Sequence, residues 1–397
     1  MPHGRRELRA APGSHSITAL NVTQAPRLTP GIDDHDRSQR LQALIVAEIS
    51  ANGGAIPFSR FMELALYAPG LGYYAASRVF GAGGDYVTAP LLGPLFGRCL
   101  ARQCAEVLDE AADGAIYEFG AGTGELAAVL IESLAGMDRL PRNYAIVELS
   151  AMLRERQRET LARRVPGFLP RVQWLEALPS EMRGVILANE VLDAMPATRF
   201  GVTAQGAREI GVAHDAGGFR EIMLEQVPAP MPDLPPGYVS EIDLHAQAWM
   251  TSVAERIARG ALLVVDYGFP AREFYHPQRS AGTLMCHHRQ RAHGNPYANI
   301  GLQDITAHLD FSALAGAAAA AGLDILGYTA QAAFLLALGI LDEGVPADER
   351  DRARWAIELQ TLTAPHEMGE LFKVLAVGRG MSRPLRGFSL LDQAHRL

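Results

Sequence analysis

A short apolar stretch followed by three alternating glycines constrains this chain more than any other feature of its sequence. Residues 116–119 have the composition of a buried strand, and Gly120, Gly122 and Gly124 follow. Residues 126–134 are apolar and rich in alanine, which predicts a helix. Glycine lets the backbone approach a ligand where a Cβ atom would collide, and the start of a helix adds unpaired N–H groups. The segment therefore predicts an α/β fold that binds a polar ligand where the strand ends.

An acidic residue on the next predicted strand indicates that this ligand carries a ribose. Residues 143–148 have the pattern of a strand that ends at Glu148. In doubly wound sheets an acid at that place accepts hydrogen bonds from the two ribose hydroxyl groups. Strand, glycine loop, helix, strand and acid occur in this order in S-adenosylmethionine-dependent methyltransferases and in NAD enzymes.

The spacing of the glycines favours the methyltransferases. The sequence has G-x-G-x-G, whereas dinucleotide sites have G-x-G-x-x-G, and the lysine of a P-loop is absent. Glu118, just before the loop, favours the same interpretation. A dinucleotide site and a tight turn without a ligand stay open as alternatives.

Charge and cysteine content exclude several classes of partner. The 397 residues carry a net charge of −8 without a continuous basic stripe, so we expect no nucleic-acid partner. No apolar run reaches the roughly 18 residues of a membrane span, so we expect no stable membrane insertion. Cys99, Cys104 and Cys286 lack the spacing of a disulfide framework and are expected to be reduced thiols of a cytoplasmic protein without a metal. A zinc site on Cys286 with the two histidines that follow it is a minor alternative.

Polar residues also follow a later strand. Residues 185–188 predict a strand near the centre of the sheet, and Asn189, Glu190 and Asp193 come shortly after it. Open α/β sheets bind ligands at the carboxyl ends of their strands, so we expect these side chains to face the same crevice as the glycine loop. Helix capping by Asn189 or Asp193 is the structural alternative.

A second glycine-rich loop, at 81–90, precedes the first one in the chain. It ends in Thr88 and Pro90. We expect this loop to close over the ligand, because its glycine density permits movement. A surface loop without a function is the alternative.

Five segments, taken together, resemble the MidA family. In chain order they are GDYVTAP at 84–90, GAGTG at 120–124, NEVLDAMP at 189–196, GTL at 282–284 and DITAHLDF at 304–311. The resemblance implies the fold of a class I methyltransferase: a mostly parallel, seven-stranded Rossmann-like sheet with an N-terminal helical extension and an inserted small β/α lobe. It also implies S-adenosyl-L-methionine as cofactor and a protein substrate, since mitochondrial members methylate an arginine of a respiratory complex I subunit during assembly. A bacterial member would be cytoplasmic and a eukaryotic one mitochondrial.

Breaks in composition divide the chain into six parts. We expect a disordered tail at 1–36, a helical and lid region at 37–110, the first half of the cofactor-binding core at 111–195, an inserted antiparallel lobe with a helix at 196–259, the second half of the core with substrate-side loops at 260–380, and a surface tail at 381–397.

These patterns assign candidate residues to roles. The residues expected to bind the cofactor are Thr88, Pro90, Glu118, Gly120, Gly122, Gly124, Glu148, Leu149 and Asn189. An arginine acceptor is cationic, so a carboxylate must hold it, and we expect Glu190 first and Asp193 second in this role. His308 could take the proton lost after transfer, because a histidine has an ordinary pKa of about 6.5. A structural histidine bonded to a neighbouring acid such as Asp310 is an equal alternative.

Three functions are compatible with these observations. A methyltransferase acting on a protein arginine is the leading hypothesis. A small-molecule methyltransferase, with its pocket roofed by the lobe that begins at 196, is the second. The third is a non-catalytic assembly factor that keeps the cofactor only as a structural ligand. The sequence makes no prediction of the oligomeric state.

Overall fold

The computed structural model describes residues 34–75, 88–225 and 232–397. Most of the expected N-terminal tail and the part of the second glycine-rich loop at 81–87 therefore lie outside the described residues.

Strands and helices alternate between Ala115 and Leu175 and again around the strands Ile257–Phe269 and Asp324–Ala330, with runs of consecutive strands between these parts. The strands are β1 (Ala55–Pro57), β2 (Ala115–Phe119), β3 (Tyr144–Val147), β4 (Val172–Leu175), β5 (Met182–Asn189), β6 (Thr198–Thr203), β7 (Gly206–Asp215), β8 (Gly218–Met223), β9 (Val239–Ile242), β10 (Ile257–Phe269), β11 (Met285–His288), β12 (Arg291–His293), β13 (Asp304–Thr306), β14 (Leu309–Asp310), β15 (Asp324–Ala330) and β16 (Phe372–Arg379). The helices are α1 (Asp34–Ala51), α2 (Phe58–Tyr67), α3 (Ala89–Leu92), α4 (Leu95–Glu110), α5 (Glu125–Gly136), α6 (Ala151–Arg164), α7 (Leu244–Ala254), α8 (Ala271–Phe274), α9 (Phe311–Ala320), α10 (Gln331–Ala337), α11 (Glu349–Thr363) and α12 (Met368–Leu371).

The central sheet has the strand order β15-β16-β10-β5-β2-β3-β4, and the two-residue strand β14 pairs with the end of β10. The sheet has eight strands, seven of them on one path and the eighth beside it. β16 runs antiparallel to β10 and β15, whereas β10, β5, β2, β3 and β4 are mutually parallel. The sheet is mixed, and its five parallel strands end at one edge.

Both faces of this sheet are covered by helices, which explains why its central strands are apolar without interruption. Along β10, Leu263 and Val265 face one side and pack with residues of α4 and α5. Leu262 and Val264 face the other side and pack with residues of α7 and α9. The alternation follows from the two-residue period of a strand.

Two smaller sheets flank the core. One has the order β1-β7-β6-β9, with β8 paired to β7, and the other is β12-β11-β13. The strand β1 belongs to the N-terminal region but pairs with β7 of the expected lobe. A third apolar cluster joins α1 and α2 to both small sheets.

The last segment of the chain lies mostly on the surface but contacts the core at a few residues. Phe388 is buried, and its ring packs against that of Phe334 at 5.4 Å between centroids. The backbone N–H of Gln393 donates a hydrogen bond to the carbonyl of Tyr328 at 2.7 Å. Residues 381–397 therefore contact the core at a few places, and their separation as a C-terminal tail stays a prediction.

Candidate active site

The glycine loop forms a tight bend between β2 and α5. Gly120, Gly122 and Gly124 have φ values of 61°, 51° and 82°, which other residues rarely adopt. A Cβ atom on Gly120 would lie 3.0 Å from the Cγ2 atom of Val191. A Cβ atom on Gly124 would lie 3.2 Å from the Cα atom of Gln157. The backbone conformation favours glycine at all three places, and crowding adds to this at Gly120 and Gly124.

The bend leaves several backbone donors open. The N–H of Gly120 bonds to the carbonyl of Val147, and that of Gly124 to the carbonyl of Ala121. Across the described ranges, no partner accepts a hydrogen bond from the N–H of Ala121, Gly122 or Thr123. These groups, with the first N–H groups of α5, can bind a polar ligand.

Glu148 follows β3 and faces this bend. Its Oε1 accepts a hydrogen bond from the N–H of Ser150 at 2.9 Å, and its Oε2 accepts one from Nε2 of Gln157 at 3.2 Å. The same Nε2 donates to the carbonyl of Gly122 at 3.0 Å. Burial raises the pKa of Glu148. Each carboxylate oxygen keeps a lone pair for a further donor, which fits a ribose diol. The side chain of Leu149 lies beside it and is 60% exposed.

Glu118 makes its contact within the sheet. Its Oε2 accepts a hydrogen bond from the hydroxyl of Tyr144 at 2.7 Å, and the side chain is buried. Burial raises the pKa of Glu118 to about 7. A cofactor contact by Glu118 stays a prediction.

The helix α3 touches the acidic segment that follows β5. Thr88 occupies the N-cap position of α3 without a capping bond from its side chain, and Pro90 lies in its first turn. The N–H of Ala89 donates to Oε1 of Glu190 at 3.2 Å. The end of the second glycine-rich loop is thereby placed next to Glu190.

Asn189 and Glu190 lie at the carboxyl end of β5, beside β2. Glu190 has a φ of 53°, and its Oε1 also accepts a hydrogen bond from Nδ2 of Asn189 at 3.1 Å. The Oδ1 atom of Asn189 is buried and has no partner among the described residues. Burial raises the pKa of Glu190 to about 8. No helix starts between β5 and β6, so the capping alternative was wrong.

Asp266, a residue that we did not predict, shapes this segment. It is fully buried near the end of β10, and its Oδ2 accepts hydrogen bonds from the N–H groups of Val191, Leu192 and Asp193 at 3.0–3.3 Å. Its Oδ1 accepts one from the N–H of Tyr267 at 2.9 Å. Burial raises the pKa of Asp266 to about 7. Asp266 therefore holds the turn that presents Glu190 and Asp193.

Two further acids and two tyrosines lie near this turn. Asp193 is buried, and burial together with Asp266 and Asp304 raises its pKa. The hydroxyl of Tyr74 donates to Oδ1 of Asp304 at 2.9 Å, and the hydroxyl of Tyr67 donates to the carbonyl that follows Asp193. The two tyrosine rings stack at 5.3 Å.

In the part of the chain that the structure describes, the acids on this turn and the neighbouring Asp266 form no ion pair with arginine or lysine. Within 34–75, 88–225 and 232–397, no ion pair with arginine or lysine involves Glu190, Asp193 or Asp266. Buried carboxylates are costly unless paired, and cation binding would offset that cost. The turn can therefore bind a cationic group.

His308 lies among aromatic and basic side chains. Its ring stacks on that of Tyr267 at 6.0 Å and lies 5.3 Å from that of Phe269. Burial, with Arg279 and Lys373 nearby, lowers its pKa to about 4. Its Nδ1 is buried and finds no partner in the described part of the chain. His308 is therefore neutral at pH 7.

Asp310 does not bond to His308, contrary to the structural alternative. Its Oδ1 accepts hydrogen bonds from the N–H groups of Ser312 and Ala313 and caps α9. The backbone N–H of His308 instead donates to the hydroxyl oxygen of Thr283 at 3.1 Å.

Sequence reasoning missed Gln157, Asp266 and the two tyrosines. Asp266 could have been found, because it stands at the end of an apolar strand run as Glu148 does. Gln157 and the tyrosines reach the site only through tertiary packing, and no local pattern marks them.

Comparison with known proteins agrees with this geometry. The sequence profile of a family described as "Putative S-adenosyl-L-methionine-dependent methyltransferase" matches residues 99–329. A Burkholderia thailandensis protein, crystallised with S-adenosyl-homocysteine, is 47% identical, with a TM-score of 0.89 over 93% of this chain and 99% of that one. A Danio rerio protein named "Protein arginine methyltransferase NDUFAF7, mitochondrial" is 28% identical over 82% of this chain and 83% of its own length. The Homo sapiens protein of the same name is 27% identical over 82% of this chain and 80% of its own.

None of the helices in the three described ranges has the length and apolar composition needed to cross a membrane.

Proposed function

The chain belongs to this family of S-adenosyl-L-methionine-dependent methyltransferases, and on that premise we propose that it methylates an arginine side chain of a protein. The observation that carries the proposal is the set of buried carboxylates on the turn after β5, which has no arginine or lysine partner in the described residues. A guanidinium supplies the missing positive charge and can donate two parallel hydrogen bonds to one carboxylate.

The cofactor would lie between the glycine bend and Glu148. The open N–H groups of residues 121–123 and the spare lone pairs of Glu148 support this placement. The buried, unpaired Oδ1 of Asn189 offers an acceptor at the border between cofactor and substrate. We also infer that the central sheet is the Rossmann-like sheet of the class I methyltransferases, because its strand path has their helix-covered parallel half.

Different side chains have different roles in the proposed reaction. S-adenosyl-L-methionine supplies, when bound, an electrophilic methyl group on a sulfonium. Glu190 and Asp193 hold the guanidinium, and Asp266 fixes the turn that carries them. Arginine loses one proton overall on methylation. The bound guanidinium lowers the pKa of Glu190 from its raised value and keeps the carboxylate ionised, so that it can accept this proton, whereas burial makes the imidazole of His308 a weak base. His308 then offers its unpaired Nδ1 as a neutral hydrogen-bond acceptor.

The names of the relatives support a protein as substrate. Both curated relatives are named as protein arginine methyltransferases, and each is matched over about four fifths of its length. The resemblance to the MidA family extends this to a subunit of the respiratory chain. The domain boundaries stated above remain part of this proposal.

Quantitative mass spectrometry of methylated peptides tests the proposal. A deletion strain is compared with strains complemented by the wild-type gene or by Glu190→Gln. We expect one or a few arginine methylation sites to disappear in the deletion, to return with wild type and to stay absent with Glu190→Gln. Full return with Glu190→Gln, or loss of methylation on lysines or small molecules only, would contradict an arginine acceptor held by Glu190.

A further inference from the structure

Gln157 lies in the middle of α6, and its side chain contacts both Glu148, which follows β3, and the glycine bend, which is 35 residues away in sequence. Its side chain is completely buried. Nε2 donates one hydrogen bond to Oε2 of Glu148 at 3.2 Å and one to the carbonyl of Gly122 at 3.0 Å. Oε1 accepts a hydrogen bond from Nε1 of Trp174 at 2.9 Å. The amide therefore donates one hydrogen bond to each half of the cofactor site, the glycine bend and Glu148.

The backbone at Gln157 is fixed as well. Its Cα atom lies where a Cβ atom on Gly124 would come within 3.2 Å, so α6 rests directly on the last residue of the bend. The N-cap of α6 is Ser150, whose own N–H bonds to Oε1 of Glu148. The helix thus holds the Glu148 carboxylate from two sides, at its start and at Gln157.

A glutamine suits this place because the amide donates on one side and accepts on the other. A carboxylate that binds a ribose diol must present its free lone pairs in a fixed direction, since rotation would break one of two hydrogen bonds. Hydrogen bonds to a charged group are among the stronger ones in proteins.

We propose that Gln157 is a positioning residue for cofactor binding, which sets the orientation of Glu148 relative to the glycine bend. The inference deepens the proposed function and rests on the cofactor lying between these two elements. Gln157 itself does not touch the reacting atoms; it acts through Glu148 and the carbonyl of Gly122.

Three variants separate this role from simple core packing. Gln157→Leu removes both N–H donors at nearly the same volume. Trp174→Phe removes only the donor to Oε1 and leaves both bonds from Nε2 in place, which makes it the matched control. Gln157→Glu places an acid next to Glu148: when protonated it can donate one hydrogen bond to that carboxylate, and when ionised it repels it.

The measurement is isothermal titration with S-adenosyl-L-methionine from pH 6 to 9, with steady-state methyl transfer and thermal unfolding on the same samples. We expect Gln157→Leu to raise the Kd by at least about tenfold, with kcat at saturating cofactor within about twofold of wild type. Trp174→Phe should stay within about threefold of wild type. The affinity of Gln157→Glu should fall with rising pH, relative to wild type.

Each outcome decides one question. Unchanged affinity in folded Gln157→Leu, or an equal loss in Trp174→Phe, overturns the proposed role. If Gln157→Leu does not fold, Gln157→Glu decides alone, and a pH profile parallel to that of wild type overturns the role. Absence of binding by wild type would instead overturn the cofactor site itself.

Discussion

Glu190 combines three unfavourable properties at one residue. It has a left-handed backbone conformation, a carboxylate with a pKa raised to about 8 by burial, and the buried Asp266 nearby. Such strain persists only where the surrounding structure enforces it, and here Asp266 does so through backbone hydrogen bonds. A residue of this kind is more consistent with function than with stability.

The raised pKa of Glu190 predicts that replacing this carboxylate with a neutral side chain stabilises the folded protein, and that the stabilisation grows as pH rises. Between its ordinary pKa of 4.5 and about 8, the folded state holds a proton that the unfolded state has lost, so this group makes folding less favourable as pH rises. We expect Glu190→Gln to become more stable relative to wild type from pH 5 to pH 9, as measured by urea unfolding. Glu159→Gln, at an exposed position, should show a flat difference. A flat difference for Glu190→Gln as well would contradict the burial of that carboxylate.

Replacing one carboxylate oxygen of Asp266 should lower stability and kcat more than the same change at another acid. Asp266→Asn turns an NH2 group toward backbone N–H donors, so we expect a loss of about 1–3 kcal/mol in the free energy of unfolding and a larger loss in kcat than in cofactor affinity. Asp310→Asn is the matched control, because asparagine caps a helix as well as aspartate does. Equal effects of the two substitutions on kcat would remove the positioning role of Asp266.

At the scale of elements, the glycine bend joins β2 to α5 in a conformation that only glycine accepts readily. Gly120→Ala meets both a φ of 61° and the side chain of Val191 at 3.0 Å. We expect it to cost about 1–3 kcal/mol of stability and to abolish measurable cofactor binding, by thermal unfolding and titration.

Gly136→Ala provides the comparison, because that residue ends α5 with open space around its Cα. Alanine there should be neutral or stabilise by up to about 1 kcal/mol, with unchanged cofactor affinity. Similar losses of stability and cofactor affinity at both glycines would show that α5 as a whole, rather than the bend, is sensitive to substitution by alanine.

A second contact between elements links the small sheet to His308. Glu241 on β9 accepts hydrogen bonds from the N–H and the hydroxyl of Thr283. The hydroxyl oxygen of Thr283 in turn accepts a hydrogen bond from the backbone N–H of His308. Thr283→Val should cost about 1–2 kcal/mol of stability and lower kcat with little change in cofactor affinity. Thr203→Val, which loses an exposed turn bond, should change stability by less than about 0.5 kcal/mol. An unchanged kcat in Thr283→Val would show that the position of His308 does not matter for the reaction.

The site residues that could be predicted from the sequence are those at the ends of parallel strands. Glu148 and Asn189 end or follow parallel strands, and parallel strands end at one edge, so their convergence could be expected. The contact of Glu118 with Tyr144 was not predicted; it arises because the two-residue period of β2 turns Glu118 toward the side of Ile116. Gln157 could not be predicted, since its partners are set by how α6 packs on the bend.

At the scale of the whole molecule, the site lies where three apolar clusters meet. Val191 and Leu192 pack with the cluster on one face of the central sheet, and the bend residue Ala121 belongs to the cluster on the other face. The third cluster carries Tyr74 and joins the N-terminal helices to the small sheets. On the proposed assignment, the cofactor side of the site would belong to the central sheet, whereas the acceptor side would also depend on the N-terminal helices.

Titration of S-adenosyl-L-methionine into wild type, Glu148→Ala and Glu190→Gln tests the central claim most directly. That claim is that cofactor and acceptor occupy adjacent sites with separate carboxylates. We expect wild type to bind, Glu148→Ala to bind at least about tenfold more weakly, and Glu190→Gln to bind within about threefold of wild type. Equal affinity in wild type and Glu148→Ala would contradict it.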